Sequence, residues 1–468
     1  MNKLTFSILA IGAGAFAMLQ SVVVPTLPRI ATEIGTDQHS VAWVLTAFLL
    51  CATVSTPIVG RLGDIYGKRR LLVVSLTLLS LGSIISAVAP NLAVMIGARV
   101  IAAAGAGVVP LSFGILRDGC SPGRMASATA ALSAVLAGGA GLGMVVAGPL
   151  VDYLGYLWLF LLPGLVLGAA AVGAAFLVPS SPVSSPGRLP LLPAVLLTMW
   201  LVPLLIAASR APEWGWGSVR VLGLCIAGVV MLVLWWVCES RVAVPLVDPA
   251  LVRSRGMWQA NLVGLAAGAA LYGGFAFLPQ FLQASPSSGY GFGVGATGAS
   301  LLILAHPAMS FVGGFVAGGL SRIVGAKALV VMGCLAGAAA MVLMAFDHTT
   351  RVDVVVANGL MGAGLGLMFA CLTPLIFAAV PVHQSGIAVG INTTLRSLGG
   401  AVGAAVLPAI IASQTVGDGY PSERAYVVGF LVVAGLMACA AFCALLIPSE
   451  RKRDELDSQL KDVPFTRK

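Results

Sequence analysis

Runs of roughly 18 to 25 mostly apolar residues follow one another along nearly the whole of this 468-residue chain. A run of about 20 such residues, wound as an α-helix, matches the hydrocarbon thickness of a bilayer. Lipid offers no partner to a bare peptide group, so the helix, whose backbone bonds are internal, is the form such runs take there. Only 9% of the residues are charged, against about 25% in soluble domains, so no aqueous surface can be built from the remainder. The 57 glycines fit the same class, because helices pack closely in lipid through small residues.

Placing a span wherever about 20 apolar residues fit predicts fourteen, numbered 1 to 14, near 4-28, 41-60, 71-89, 92-116, 125-150, 156-178, 189-208, 219-238, 257-283, 293-320, 327-346, 354-380, 386-412 and 425-447. The first begins like a signal peptide, but it is too long, lacks a convincing cleavage site and runs into further spans, so it reads as a retained helix. With the N-terminus inside, the inner loops hold 19 basic residues and the outer loops 5, with Arg99 and Arg396 within spans. That bias predicts both termini to be cytoplasmic. SSPVSSPGRLP at 180-190 and RKRDELDSQLKDVPFTRK from 451 read as solvated chain. Trp214 and Trp216 of EWGWG read as interfacial anchors. The eight cysteines have no metal or disulfide spacing.

An internal repeat organises the spans. GRLGDIYGKR at 60-69 matches GGLSRIVGAK at 318-327 at Gly60/Gly318, Leu62/Leu320, Ile65/Ile323 and Gly67/Gly325. Both follow the second helix of a six-helix block, so the expected division is 1-178 as an N-terminal bundle, 179-256 as a linker carrying two extra spans, 257-447 as a C-terminal bundle and 448-468 as a cytoplasmic tail. In the first copy, two glycines are expected to turn a short loop, Asp64 to meet a helix N-terminus or an Arg, and Lys68, Arg69 and Arg70 to anchor the turn on the inner leaflet.

GRLGDIYGKRR resembles the loop motif of the major facilitator superfamily at Gly60, Leu62, Asp64, Gly67, Lys68 and Arg69. The resemblance extends over essentially the whole chain. Six plus two plus six spans, EWGWG, PQFLQ at the end of span 9 and LRSLGGAVGAA in span 13 are similar to the fourteen-span drug:proton antiporter family. The resemblance implies an all-α membrane protein of the major facilitator fold in the cytoplasmic membrane, exporting a drug, antibiotic or secondary metabolite by alternating access, driven by the proton gradient. It further implies a conformational gate around Gly60, Asp64, Gly67 and Arg70; Asp118 is expected to pair with Arg70 or Arg124.

Departures from the family pattern are equally specific. Arg99 occupies the family's span-4 arginine position and is a candidate for substrate or coupling, but Ala102 stands where the family has Gln. Gly139, Gly143 and Gly148 of span 5 form a helix-packing face, with the proline displaced to Pro149. Gln20 occupies the position of the family's span-1 acid and cannot exchange a proton near neutral pH. None of the 17 acids lies in the middle of an apolar span. His306 is the intramembrane residue whose unperturbed pKa suits coupling. Asn392 and Arg396, one turn apart on span 13, and Gln259, Asn261, Tyr272, Phe275, Gln280 and Gln283 on span 9 are candidates for the cavity lining, about half of them expected to reach it.

Two intramembrane arginines without a buried acid predict a positive cavity, favouring anionic or neutral substrates. The expected partners are a small-molecule substrate, the lipid bilayer and protons; no nucleic acid or cofactor is expected, and the chain is expected to act as a monomer. A carrier uncoupled from protons, an anion-coupled importer and a non-transporting receptor or paralogue stand as competing readings. No nucleophile–base pair, metal cluster or phosphate loop points to an enzyme.

Overall fold

A computed structural model describes residues 2–36, 38–180, 189–242, 245–286, 289–381, 384–413, 415–416 and 420–448. Most of the 180-190 linker and the tail from 451 fall outside the described residues. Among the described residues, fourteen helices are long and apolar enough to cross a bilayer. They are Lys3–Ser21, Trp43–Tyr66, Lys68–Ala87, Leu92–Gly119, Arg124–Ala147, Leu157–Leu177, Leu191–Ala211, Val219–Arg241, Met257–Gln283, Thr297–Val324, Ala326–Phe346, Arg351–Ala379, Ser385–Ala412 and Glu423–Leu445, spans 1 to 14 in order.

Several ends differ from the expectation. Span 2 stays helical through Tyr66, and Lys68 already opens span 3. The motif read as a loop is therefore mostly helix, broken only at Gly67, whose φ of 96° favours glycine. Gly325 makes the same break at φ 90° in the second copy. Span 4 is interrupted between Ala104 and Val108, where Gly105 lies directly against the Ser75 carbonyl of span 3. A second helix, Val23–Glu33, continues beyond span 1.

The packing repeats in register with the sequence. In spans 1–6 the pairs 1·5, 1·6, 2·4, 3·4 and 3·6 pack together, and 9·13, 9·14, 10·12, 11·12 and 11·14 pack at the matching places in spans 9–14. Spans 7 and 8 pack on each other, and span 7 also touches spans 2 and 13. The two sets meet along two lines, span 2 against span 13 and span 5 against span 10, with a cavity between them.

Candidate functional site: a central cavity and its gate

Each meeting line is built from residues too small to hold the helices apart. Along spans 2 and 13, the Thr394 hydroxyl donates to Thr53 O at 3.1 Å, Gly390 faces Pro57, and Gly60 faces the Gly386 carbonyl. Along spans 5 and 10, Gly141 lies against Pro307, Gly138 against the Phe311 ring, Gly314 against Ala134 and Gly318 against Ser127. Gly60 is thus no turn residue: a Cβ there would stand 2.9 Å from Gly386 O. Its repeat partner Gly318 makes the equivalent approach to span 5, so the matched pair marks where each set of spans touches the other.

Polar groups cluster where the lines close. Asp64 is 0% exposed and lies at the first turn of span 13, where a Cβ on Gly386 would be 3.2 Å from both carboxylate oxygens. A carboxylate at a helix N-terminus is favoured by the unpaired amides and the helix dipole. Lys68 Nζ lies 3.8 Å from Asp64 and 2.8 Å from Asp118. Asp118 pairs with Lys68 rather than with Arg70 or Arg124, because Gly114 leaves room for the lysine stem to lie along span 4; Arg70 is exposed. Arg117, which sequence reasoning left in a loop, donates to Phe377 O at 2.9 Å, Val380 O at 3.0 Å and Pro381 O at 3.4 Å. It thereby closes span 4 over the free carbonyls at the end of span 12. Glu239, at the end of span 8, is also buried and accepts from the Leu246 and Val247 amides at 2.9 and 3.2 Å. Its signal was a lone acid closing an apolar span just before a proline-bearing connection.

Away from this gate the lines enclose a cavity of about 490 Å³. Gln20, Tyr272, Phe275, His306, Asn392 and Arg396 all line it. His306 stands edge-on to Phe275, with ring centroids 4.9 Å apart. The Arg396 guanidinium lies over Phe369 at 4.8 Å, and the Tyr272 ring rests directly on Gly400, one turn along span 13 from Arg396.

The other candidates lie elsewhere. Arg99 is 0% exposed and outside the cavity lining; Nε donates to Val44 O at 3.4 Å, and the guanidinium lies 4.2 Å from the Phe48 ring centroid and 5.7 Å from that of Phe160. The direct substrate role proposed for it is not supported by this placement, which is that of an interhelix group. Ala102 fits the same packing: the span-3 backbone at Gly82 comes directly against it, leaving no space for the family's Gln. Asn261 is outside the lining, where its side-chain Oδ1 accepts from Asn392 Nδ2 at 3.3 Å. Gln259 ties the start of span 9 to Leu446 O at 3.1 Å, and Gln283 caps back onto Pro279 O at 3.1 Å on the exposed end of the span. Gly139 and Gly143 bring span 5 against Gly14, Met18 and Ser21 of span 1; the packing expected of Gly148 is outside what is described.

The comparisons agree with this architecture. The family model described as Major Facilitator Superfamily matches residues 9–404 and 262–467. The chain is 30% identical to the cephamycin export protein of Amycolatopsis lactamdurans, over 92% of this chain and 89% of that one. It is 27% identical to the tetracenomycin C resistance and export protein of Streptomyces glaucescens, over 90% and 78% respectively, and 28% identical to a puromycin resistance protein of Streptomyces alboniger, over 89% and 87%. Among solved structures, the human organic anion transporter MFSD10 superposes with a TM-score of 0.65 at 16% identity, over 94% of this chain and 99% of that one. At that identity the likeness concerns the fold.

Proposed function

The chain belongs to the major facilitator superfamily and is a multi-pass cell-membrane protein, and on that premise we propose that it exports a drug, antibiotic or secondary metabolite by alternating access, driven by the proton gradient. One observation carries the reading: a partly open cavity between two matching sets of six spans, shut at the Asp64 end by backbone-to-backbone contacts and a buried ion cluster. Residues 1-178 and 257-447 are the moving bundles in this reading, and 179-256 carries the accessory spans 7 and 8. The Asp64 end is cytoplasmic on the distribution of basic residues, so the conformer described has its cavity turned outward, where an exported molecule is released. Export is the direction named for the cephamycin and tetracenomycin relatives.

For the proton, the described lining residues include one imidazole, His306. Among the described lining residues there is no Asp or Glu, and Gln20 replaces the family's acid, so His306 is assigned the coupling role. The test is accumulation of a panel of antibiotics and dyes in an efflux-deficient host. Expression lowers accumulation of at least one compound, and a protonophore restores it. In proteoliposomes, His306→Gln abolishes uphill, pH-driven transport while substrate exchange persists. Unchanged accumulation throughout refutes export; a His306→Gln variant that still transports uphill refutes the coupling site.

A further inference from the structure

The cavity carries a charge that no described residue lining it balances. Among the described residues lining it, Arg396 is the only Lys or Arg, and no carboxylate lines it. Its guanidinium makes a ring contact with Phe369 at 4.8 Å and is outside every ion pair among the described residues. Its side chain is partly exposed and lines the open cavity. When the second end closes over a substrate and water is excluded, an uncompensated guanidinium becomes costly, so the occluded state needs an anion that the described lining residues do not supply.

The surroundings specify where that anion goes. Gly400 lets the Tyr272 ring pack directly against span 13, one turn from Arg396 and on the same helix face. A planar carboxylate there takes two guanidinium N–H groups and is within the neighbourhood of a phenol O–H. Most of the remaining lining is apolar or aromatic, including Phe16, Leu49, Phe113 and Phe275. Gln20 adds no negative charge that would repel an anion or hold a cation.

We propose that Arg396, with Tyr272 beside it, is the counter-ion for a single anionic group on an otherwise apolar, aromatic-sized substrate. The proposal rests on the reading of this cavity as the substrate site. Arg396 acts as a specificity residue whose charge is satisfied only in the loaded carrier.

The test uses three probes that share one ring system: 1-naphthylacetate, 2-(1-naphthyl)ethanol and 2-(1-naphthyl)ethylamine. Binding to the full chain in nanodiscs is measured by equilibrium dialysis against empty nanodiscs. The anion binds about 10- to 100-fold more tightly than the alcohol, the range expected of a charge-assisted contact, and the amine binds most weakly. Arg396→Gln brings anion and alcohol level, and Arg396→Lys keeps part of the preference. Gln20→Glu, which leaves Arg396 in place, lowers anion affinity and raises that of the amine. Equal binding of anion and alcohol to the native chain, or a preference that survives Arg396→Gln, overturns the anion site while leaving the cavity a substrate site. Binding of none of the three to native protein removes the substrate site itself, and this inference with it.

Discussion

Substituting Gly60 by Ala places a methyl carbon 2.9 Å from Gly386 O, 3.2 Å from the Gly386 carbonyl carbon and 3.6 Å from Ile387 N. All three are main-chain atoms within or beside a helix, so no rotamer change makes room, and spans 2 and 13 must move apart. Overpacking of this kind costs about 1–3 kcal/mol. The helix-propensity gain of Ala over Gly, about 1 kcal/mol, is the same in any conformer where span 2 stays helical, and cancels between them. In a conformer whose halves are parted at this end the methyl meets nothing, so the penalty falls on the closed form alone. It shifts that equilibrium by roughly 5- to 150-fold, at tenfold for each 1.4 kcal/mol. The readout is the distance between spin labels at the exposed positions Arg70 and Ile323, measured by double electron–electron resonance in a cysteine-free background. Gly60→Ala lengthens the population-weighted distance, and Gly60→Val does so further. Gly333→Ala is the control: Gly333 packs directly against Gly364 O inside one half, so its strain is present in both conformers, lowering thermal stability without moving the distance. An unchanged distribution in both Gly60 variants, or an equal shift from Gly333→Ala, refutes the reasoning.

Two further outcomes follow from buried charges. Asp118→Asn removes the nearest counter-charge of Lys68, which is 1% exposed, and destabilises the protein by about 3 kcal/mol, while Lys68→Met with Asp118→Asn and Asp64→Asn, which removes all three charges of the cluster, recovers much of the loss; thermal unfolding in detergent measures both, and an unaltered midpoint in the single variant contradicts the pairing. Arg99→Met removes a guanidinium two of whose nitrogens lack a hydrogen-bond partner among the described residues, so stability holds or rises and the ratio of naphthyl anion to alcohol binding is unchanged; a changed ratio would return Arg99 to the substrate site.

The spans were legible because hydropathy reports exactly the property that a bilayer selects, while their ends were not. Arg61, Asp64 and Tyr66 lower the apolar score of the chain after 60, yet the helix runs on to Tyr66, with Asp64 set against Lys68 of span 3 and the start of span 13 instead of water. Composition cannot separate a helix ending from a helix whose last turns are polar. The cavity was legible by helical phase on span 13, where Asn392 and Arg396 both line it. On span 9 the phase alone was insufficient: Tyr272 and Phe275 line the cavity, while Asn261 turns to Asn392 and Gln259 to Leu446 O. The placement of Arg99 depended on which neighbour, Phe48 or the cavity, stood opposite it, which is a tertiary fact. Arg117 was missed because its acceptors are main-chain carbonyls about 260 residues away, and backbone acceptors leave no mark in a sequence.

The repeat also contains an inversion of charge that ranks the two halves of the gate. Aligning Gly60 with Gly318 sets Asp64 against Arg322. Each stands where its span meets the first turns of a helix in the opposite half, Asp64 at span 13 and Arg322 at span 5. An acid there is attracted to the helix N-terminus, by up to about 2 kcal/mol in partly buried settings, and a cation is not. Arg322 accordingly donates to the Ser127 hydroxyl at 2.9 Å in an exposed setting, where solvent screens the contact. Asp64, wholly buried, is unscreened and also helps to balance Lys68. Asp64→Asn therefore lengthens the Arg70–Ile323 distance more than Arg322→Gln does, although the two positions are equivalent in sequence. An equal response would mean that the glycine contacts and the Arg117 bonds hold the gate and that the charges of Asp64 and Arg322 only tune folding stability.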